Sequence, residues 1–223
     1  MQHSERVRAA LTAKMEKRLL VSLARRLPGW VHSDHLTILG VIAAIGIGAG
    51  YALSILSPHW LWLASAMLAL NWFGDSLDGT VARVRRAERP RYGYYLDHAV
   101  DAFTTVLIGL GIGLSPFVSL FVGLGIVIIY LLMSINVYLE STVFGEFKMD
   151  YGVLGPTEVR ILLIALNTVA IWVTTTGRTT PGEIAPGANL AFSAVLGVMA
   201  LLLLWRFGGN LRRLAREDPL PHP

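Results

Sequence analysis

Residues 71–101 read NWFGDSLDGTVARVRRAERPRYGYYLDHAVD, and they place Asp75, Asp78, Asp97 and Asp101 between two apolar runs. Asp75 and Asp78 are three residues apart, Asp97 and Asp101 four apart. On helices both spacings put the two side chains on one face. The first pair closes one apolar segment and the second opens the next. Two antiparallel helices would then present two carboxylates each to a shared site. Negative charges so concentrated beside a membrane need neutralising. A hard divalent cation such as Mg2+ takes oxygen ligands, and is commonly held by few carboxylates plus substrate phosphates. Gly79 and Gly93 would let a phosphate or the facing helix approach the backbone closely. The structural alternative is a set of ion pairs to Arg83, Arg85 or Arg86 that fastens the two helices.

Working outward, the 223 residues are 54% hydrophobic and 15% charged, against about 25% charged in ordinary soluble domains. Apolar spans fall near 36–56, 59–79, 95–114, 117–139, 157–176 and 187–207. Each is long enough to cross about 30 Å of hydrocarbon. The expected fold is therefore an all-α integral membrane protein with six transmembrane helices. The first long apolar run starts near Leu36, too far in and too long for a cleaved signal peptide. The absence of cysteine excludes disulfides and thiolate metal sites.

Residues 3–27 read as an amphipathic helix. Val7, Ala10, Leu11, Met15, Leu19, Leu23 and Leu27 make the apolar stripe, and the basic residues lie mostly elsewhere. Such a helix can lie in the interface, drawn to anionic lipid, or pack on its own protein. Pro28 and Gly29 end it. The expected organisation is this segment (1–30), a transmembrane domain (31–210) and a tail (211–223).

The net charge of +4 is distributed as membrane topology requires, so no nucleic-acid partner is expected. Basic residues crowd the N-terminal segment, the loop with Arg83, Arg85, Arg86, Arg89 and Arg91, the loop with Lys148, and the tail with Arg212, Arg213 and Arg216. The opposite loops carry only Arg178. By the positive-inside rule both termini and the aspartate site face the cytoplasm. Gly40, Gly46, Gly48 and Gly50 in the first span would allow close helix contact, within the chain or in a homodimer.

The aspartate stretch resembles the signature of the CDP-alcohol phosphotransferases (CDP-alcohol phosphatidyltransferases), D-x2-D-G-x2-A-R-x(8 or 9)-G-x3-D-x3-D. Asp75, Asp78, Gly79, Ala82, Arg83, Gly93, Asp97 and Asp101 fill its fixed positions. The number and placement of apolar spans extend the resemblance over most of the chain. It implies an enzyme in which an alcohol hydroxyl attacks the β-phosphorus of a CDP-alcohol and CMP leaves. It further implies two ions, Mg2+ or Mn2+, with Asp75, Asp78 and Asp97 as ligands and Asp75 and Asp97 bridging. Asp101 would take the proton from the attacking hydroxyl and touch the second metal. Gly79, Ala82, Arg83 and Gly93 would bind the donor. Ser33-Asp34-His35-Leu36-Thr37 looks like a degenerate form of the family's PNxLT element, which extends the donor set to Asp34 and Thr37. As plain helix chemistry, Ser33 or Asp34 would cap the first span.

Three features bear on the substrates. His98 gives D-H-A-V-D, similar to the choline/ethanolamine phosphotransferases, and an imidazole suits a base because it titrates near neutrality. Thr157-Glu158-Val159 also looks like that group, while Glu158 and Arg160 resemble a pair in the phosphatidylinositol-phosphate synthases. The basic run of those synthases is missing: the chain reads Tyr138-Leu139-Glu140-Ser141, which argues against a highly anionic acceptor. Arg206 either lines an acceptor pocket with Glu158 and Arg160 or snorkels to the interface. In size and span number the chain resembles the smaller phosphatidyltransferases, which implies CDP-diacylglycerol as donor and a polar alcohol as acceptor, among membrane lipids. The alternative is a CDP-aminoalcohol donor with a lipid alcohol. UbiA-like prenyltransferases and carboxylate-lined cation transporters are other classes. The first lacks its second aspartate-rich motif here, and the second would need polar residues through the bilayer midplane.

Overall fold

The computed structural model describes residues 13–145 and 155–219. Among them the chain forms seven helices: α1 (Ala13–Arg26), α2 (Ser33–Leu53), α3 (Trp60–Val84), α4 (Pro90–Leu114), α5 (Leu120–Phe144), α6 (Pro156–Thr175) and α7 (Pro181–Glu217). Five of these, α2 and α4 to α7, are long and apolar enough to cross a membrane. The chain is thus an all-α, multi-pass membrane protein.

The expected second span coincides with α3, which is not one of the five. Asn71, Asp75, Asp78 and Arg83 dilute its hydropathy. Its buried face, with Leu61, Ala64, Leu68, Leu77 and Val81, turns inward.

α2 and α3 pack almost backbone to backbone. A Cβ on Gly74 would lie 2.6 Å from the Leu36 carbonyl oxygen and 2.8 Å from the Gly40 nitrogen. One on Gly50 would lie 2.6 Å from the Ala64 nitrogen. Lipid offers no hydrophobic drive for helices to associate, so such close packing is what holds spans together. The first-span glycines are used within the chain: Gly48 meets Leu107 of α4, and Gly46 meets Met67 of α3. Ile47, Tyr51, Leu61, Leu68, Ile112, Phe117 and Ile171 form the larger core cluster.

A smaller cluster of Leu20, Ala24, Leu36, Leu77 and Val81 seats α1 on α2 and α3. Arg85 fixes the far end of α1. Its guanidinium donates to the carbonyls of Leu27 (3.0 Å), Pro28 (2.9 Å), Gly29 (3.3 Å) and Val31. Those carbonyls lie at and just beyond the helix end, where orphan acceptors attract a cation. Arg85 therefore pairs with backbone rather than with an aspartate. The first twelve residues, which include the start of the expected N-terminal helix, lie outside the described residues.

α7 runs 37 residues, well beyond the expected span at 187–207. None of its residues is buried. Polar contacts hold it at both ends. The Ser119 N–H donates to Asn189 Oδ1 (2.8 Å). At the other end the Glu140 carboxylate on α5 accepts from Arg206 Nε (2.7 Å), Arg206 Nη2 and Asn210 Nδ2 (2.5 Å). Asn136, one turn back on α5, adds a fourth donor at 2.6 Å.

Candidate active site

α3 and α4 are joined by a short turn in which Arg86 takes a positive φ of 54°. The turn brings the end of α3 against the start of α4, as the two aspartate pairs require. Carboxylate oxygens of Asp75, Asp97 and Asp101 lie within 4.8 Å of one another. All three residues are half-buried. They line a small cleft with Thr37 and Gly40 of α2, Asn71 and Asp78 of α3, Val100 and Thr104 of α4, and Arg160 of α6.

Asp78 faces the same cleft but is bound differently. Its Oδ2 accepts from Thr37 Oγ1 (2.8 Å) and its Oδ1 from the Gly79 N–H. Its carbonyl accepts from Ser33 Oγ (3.0 Å). The start of α2 therefore orients Asp78. Of the expected donor residues in this region, Thr37 lines the cleft. Asp34 pairs with Arg89 at the surface. Arg83 bonds back to Thr80 (3.1 Å) beside Gly79, where a Cβ would meet its guanidinium at 3.2 Å. Ala82 is half-buried and Gly93 exposed, and neither lines the cleft.

Arg160 enters from α6. Its Nη2 donates to Asp75 Oδ2 at 2.8 Å and its Nε to Asn71 Oδ1 at 3.1 Å. Asn71, 2% exposed, passes the chain on by donating to the Gly40 carbonyl (2.9 Å). The ion pair on Asp75 thus comes from a residue 85 positions away, not from Arg83, Arg85 or Arg86. Glu158 sits at the start of the same helix, where its carboxylate accepts from the Gly155 N–H (3.0 Å) and satisfies one of the free donors of the helix start. Arg206 is not brought to the aspartate cleft; it lies on Glu140.

His98 points its Nδ1 at the Tyr94 carbonyl (2.8 Å) and lies 3.6 Å from Asp97. Its ring stacks on Tyr94 and tilts against Tyr138, with centroids 4.2 and 5.2 Å away. It is not among the residues lining the cleft. Asn71 and Thr104 are cleft residues that motif reasoning did not single out. Asn71 did carry a signal, an amide one helical turn before Asp75 in an otherwise apolar run.

The three-carboxylate cluster, with an oxygen-only donor set and partial access to solvent, suits a hard divalent cation. The cleft is framed by α2, α3, α4 and α6. The chain belongs to the CDP-alcohol phosphatidyltransferase family, whose model matches residues 30–206. It is 36% identical over 92 residues to the archaetidylinositol phosphate synthase of Methanothermobacter thermautotrophicus, covering 41% of this chain and 44% of that protein. It is 33% identical over 84 residues to the phosphatidylinositol phosphate synthase of Cutibacterium acnes, covering 38% of each. The chain thus spans less than half the length of the curated relatives it matches.

Proposed function

We propose that the chain transfers the phosphatidyl group of CDP-diacylglycerol to the hydroxyl of a polar alcohol, releasing CMP, in phospholipid synthesis. The observation that carries this reading is the convergence of Asp75, Asp97 and Asp101 at the family's motif positions. Asp75, Asp78 and Asp97 would hold the divalent ions, Mg2+ or Mn2+, with Asp101 in reach of the second. The metal would neutralise the pyrophosphate and stabilise the leaving phosphate.

The chain's own residues do the rest. Asp101, one turn beyond Asp97, takes the proton from the attacking hydroxyl, as a positioned carboxylate can. Thr37 and the Gly79 N–H fix the rotamer of Asp78. Gly79, Ala82, Arg83 and Gly93 meet the donor, since a guanidinium matches phosphate geometry. Arg160, anchored through Asn71, presents a cation to the acceptor side of the cleft.

The two relatives are, by name, an archaetidylinositol phosphate synthase and a phosphatidylinositol phosphate synthase, and Arg160 supplies a cation for an anionic acceptor. Inositol phosphate is therefore the first acceptor to test, although the chain reads Tyr138-Leu139-Glu140-Ser141 in place of the basic run of the phosphatidylinositol-phosphate synthases. α3 is taken as a sixth span, and both termini and the cleft as cytoplasmic, on the strength of the loop charges. The second reading, a CDP-aminoalcohol donor, rests on His98 and the Thr157-Glu158-Val159 run. Crossing CDP-diacylglycerol, CDP-choline and CDP-ethanolamine against a panel of alcohols, with CMP as the readout, separates the two. CMP from CDP-diacylglycerol with one polar alcohol is expected. CMP only from an aminoalcohol donor would reverse the donor assignment.

A further inference from the structure

Glu16 on α1 stands outside the cleft, yet its carboxylate touches both helices that frame Arg160. Its Oε1 accepts from the indole Nε1 of Trp72 on α3 (2.9 Å) and from the hydroxyl of Thr157 in the first turn of α6 (2.7 Å). Each partner is close in sequence to a cleft residue. Trp72 adjoins Asn71, and Thr157 precedes Arg160 by one turn. Arg160 in turn bonds Asn71 and Asp75. One oxygen therefore ties the start of α6 to α3 at the level where α6 delivers its guanidinium to the aspartates. A carboxylate is well suited to this place, because the N-terminal end of α6 carries the positive pole of the helix dipole. α1 is held firmly enough to anchor the tie. Leu20 and Ala24 are buried beneath it, and Arg85 grips its C-terminal end.

We propose that Glu16 is a positioning residue that sets the register of α6 against α3, and through it the hold of Arg160 on Asp75. Its consequence for turnover rests on the phosphatidyl-transfer reading above. Its consequence for the aspartate cluster does not. The Arg160 guanidinium competes with a divalent cation for Asp75 Oδ2. Arg160→Ala therefore tightens metal binding in the absence of substrates. Loosening Arg160 by breaking the Glu16 bonds moves metal affinity in the same direction.

The test titrates Mn2+ alone into the full-length protein in lipid nanodiscs and follows the dissociation constant. Glu16→Ala breaks both bonds; Thr157→Val breaks one without disturbing the packing of α1, and stands in should Glu16→Ala fold poorly. Each is expected to tighten Mn2+ binding by about threefold, the scale of weakening one partly exposed ion pair that competes with the metal. Glu16→Gln keeps the acceptor oxygen and restores the wild-type value. In an Arg160→Ala background Glu16→Ala and Thr157→Val add nothing. Unchanged Mn2+ affinity in both variants overturns the proposal, as does a shift that persists undiminished without Arg160. A wild-type chain that binds no Mn2+ overturns it together with the metal assignment. CMP release from CDP-diacylglycerol is read in parallel: with Mn2+ binding intact but no CMP from wild type, the transfer reading fails and the Mn2+ series alone decides the role of Glu16.

Discussion

Replacing Glu140 by alanine should loosen α7 while leaving the aspartate cleft intact. The Glu140 and Arg206 side chains are 9% and 15% exposed, and the carboxylate also accepts from Asn136 and Asn210. Removing one partner of a buried pair strands the other, at a cost of about 3–5 kcal/mol. Hydrogen bonds between membrane helices are worth less, about 0.6 kcal/mol on average. The Arg206 side chain is not fully buried, which favours the lower end, so about 3 kcal/mol is the working figure for Glu140→Ala. That is roughly a hundredfold in the folded-to-unfolded ratio. No buried residue of α7 offsets the loss. Thermal unfolding in detergent should show a clear fall for Glu140→Ala. A Glu140→Ala/Arg206→Leu double variant, which strands no charge, should recover most of it. Unchanged stability of the single variant would show that the pair does not hold α7. A double variant as unstable as the two single losses added together would show that the stranded charge is not the cause.

Asp101→Asn should lower CMP release by about a hundredfold or more, the scale of a lost general base, while donor binding persists; near-normal turnover removes Asp101 from that role. Asp75→Ala should weaken Mg2+ dependence and donor binding together, and an unaltered Mg2+ titration would count against its assignment as a ligand. Thr37→Val removes the hydroxyl held by Asp78 Oδ2. It should raise the Mg2+ concentration needed for half-maximal activity by about tenfold, in the range seen when an outer-shell partner of a ligand is lost. Equal Mg2+ requirements in Thr37→Val and wild type would mean that Asp78 needs no such support.

The aspartate pairs were legible because their information is local. Three- and four-residue spacings in a helix fix a face whatever the rest of the chain does. The apolar spans were legible for a similar reason: observed helices overlie the six expected positions, and five of them are long and apolar enough to cross a membrane. Contacts between distant segments left no such periodic trace. Nothing local told that Asp75 would pair with Arg160, that Arg85 would collect carbonyls from the α1–α2 turn, or that Glu16 would reach Thr157. These depend on how helices stack, which is set by close approaches such as Gly74 on Leu36 and Gly40. The length of α7 escaped for a different reason. The expected span stopped with the apolar run at 207, yet the helix continues through Gly208 and Gly209: Arg206 and Asn210 on either side are both fastened to Glu140, and Arg213 pairs with Glu217 one turn on. A glycine costs about 1 kcal/mol in a helix, which those contacts outweigh.

Metal-dependent phosphatidyl transfer at the aspartate cleft is tested by CMP release from CDP-diacylglycerol as Mg2+ is added back to the chelated, purified protein, with inositol phosphate and other polar alcohols as acceptors. CMP should appear only with metal and acceptor together, and should vanish in Asp97→Ala. CMP release that ignores chelation, or survives loss of Asp97, would contradict that reading.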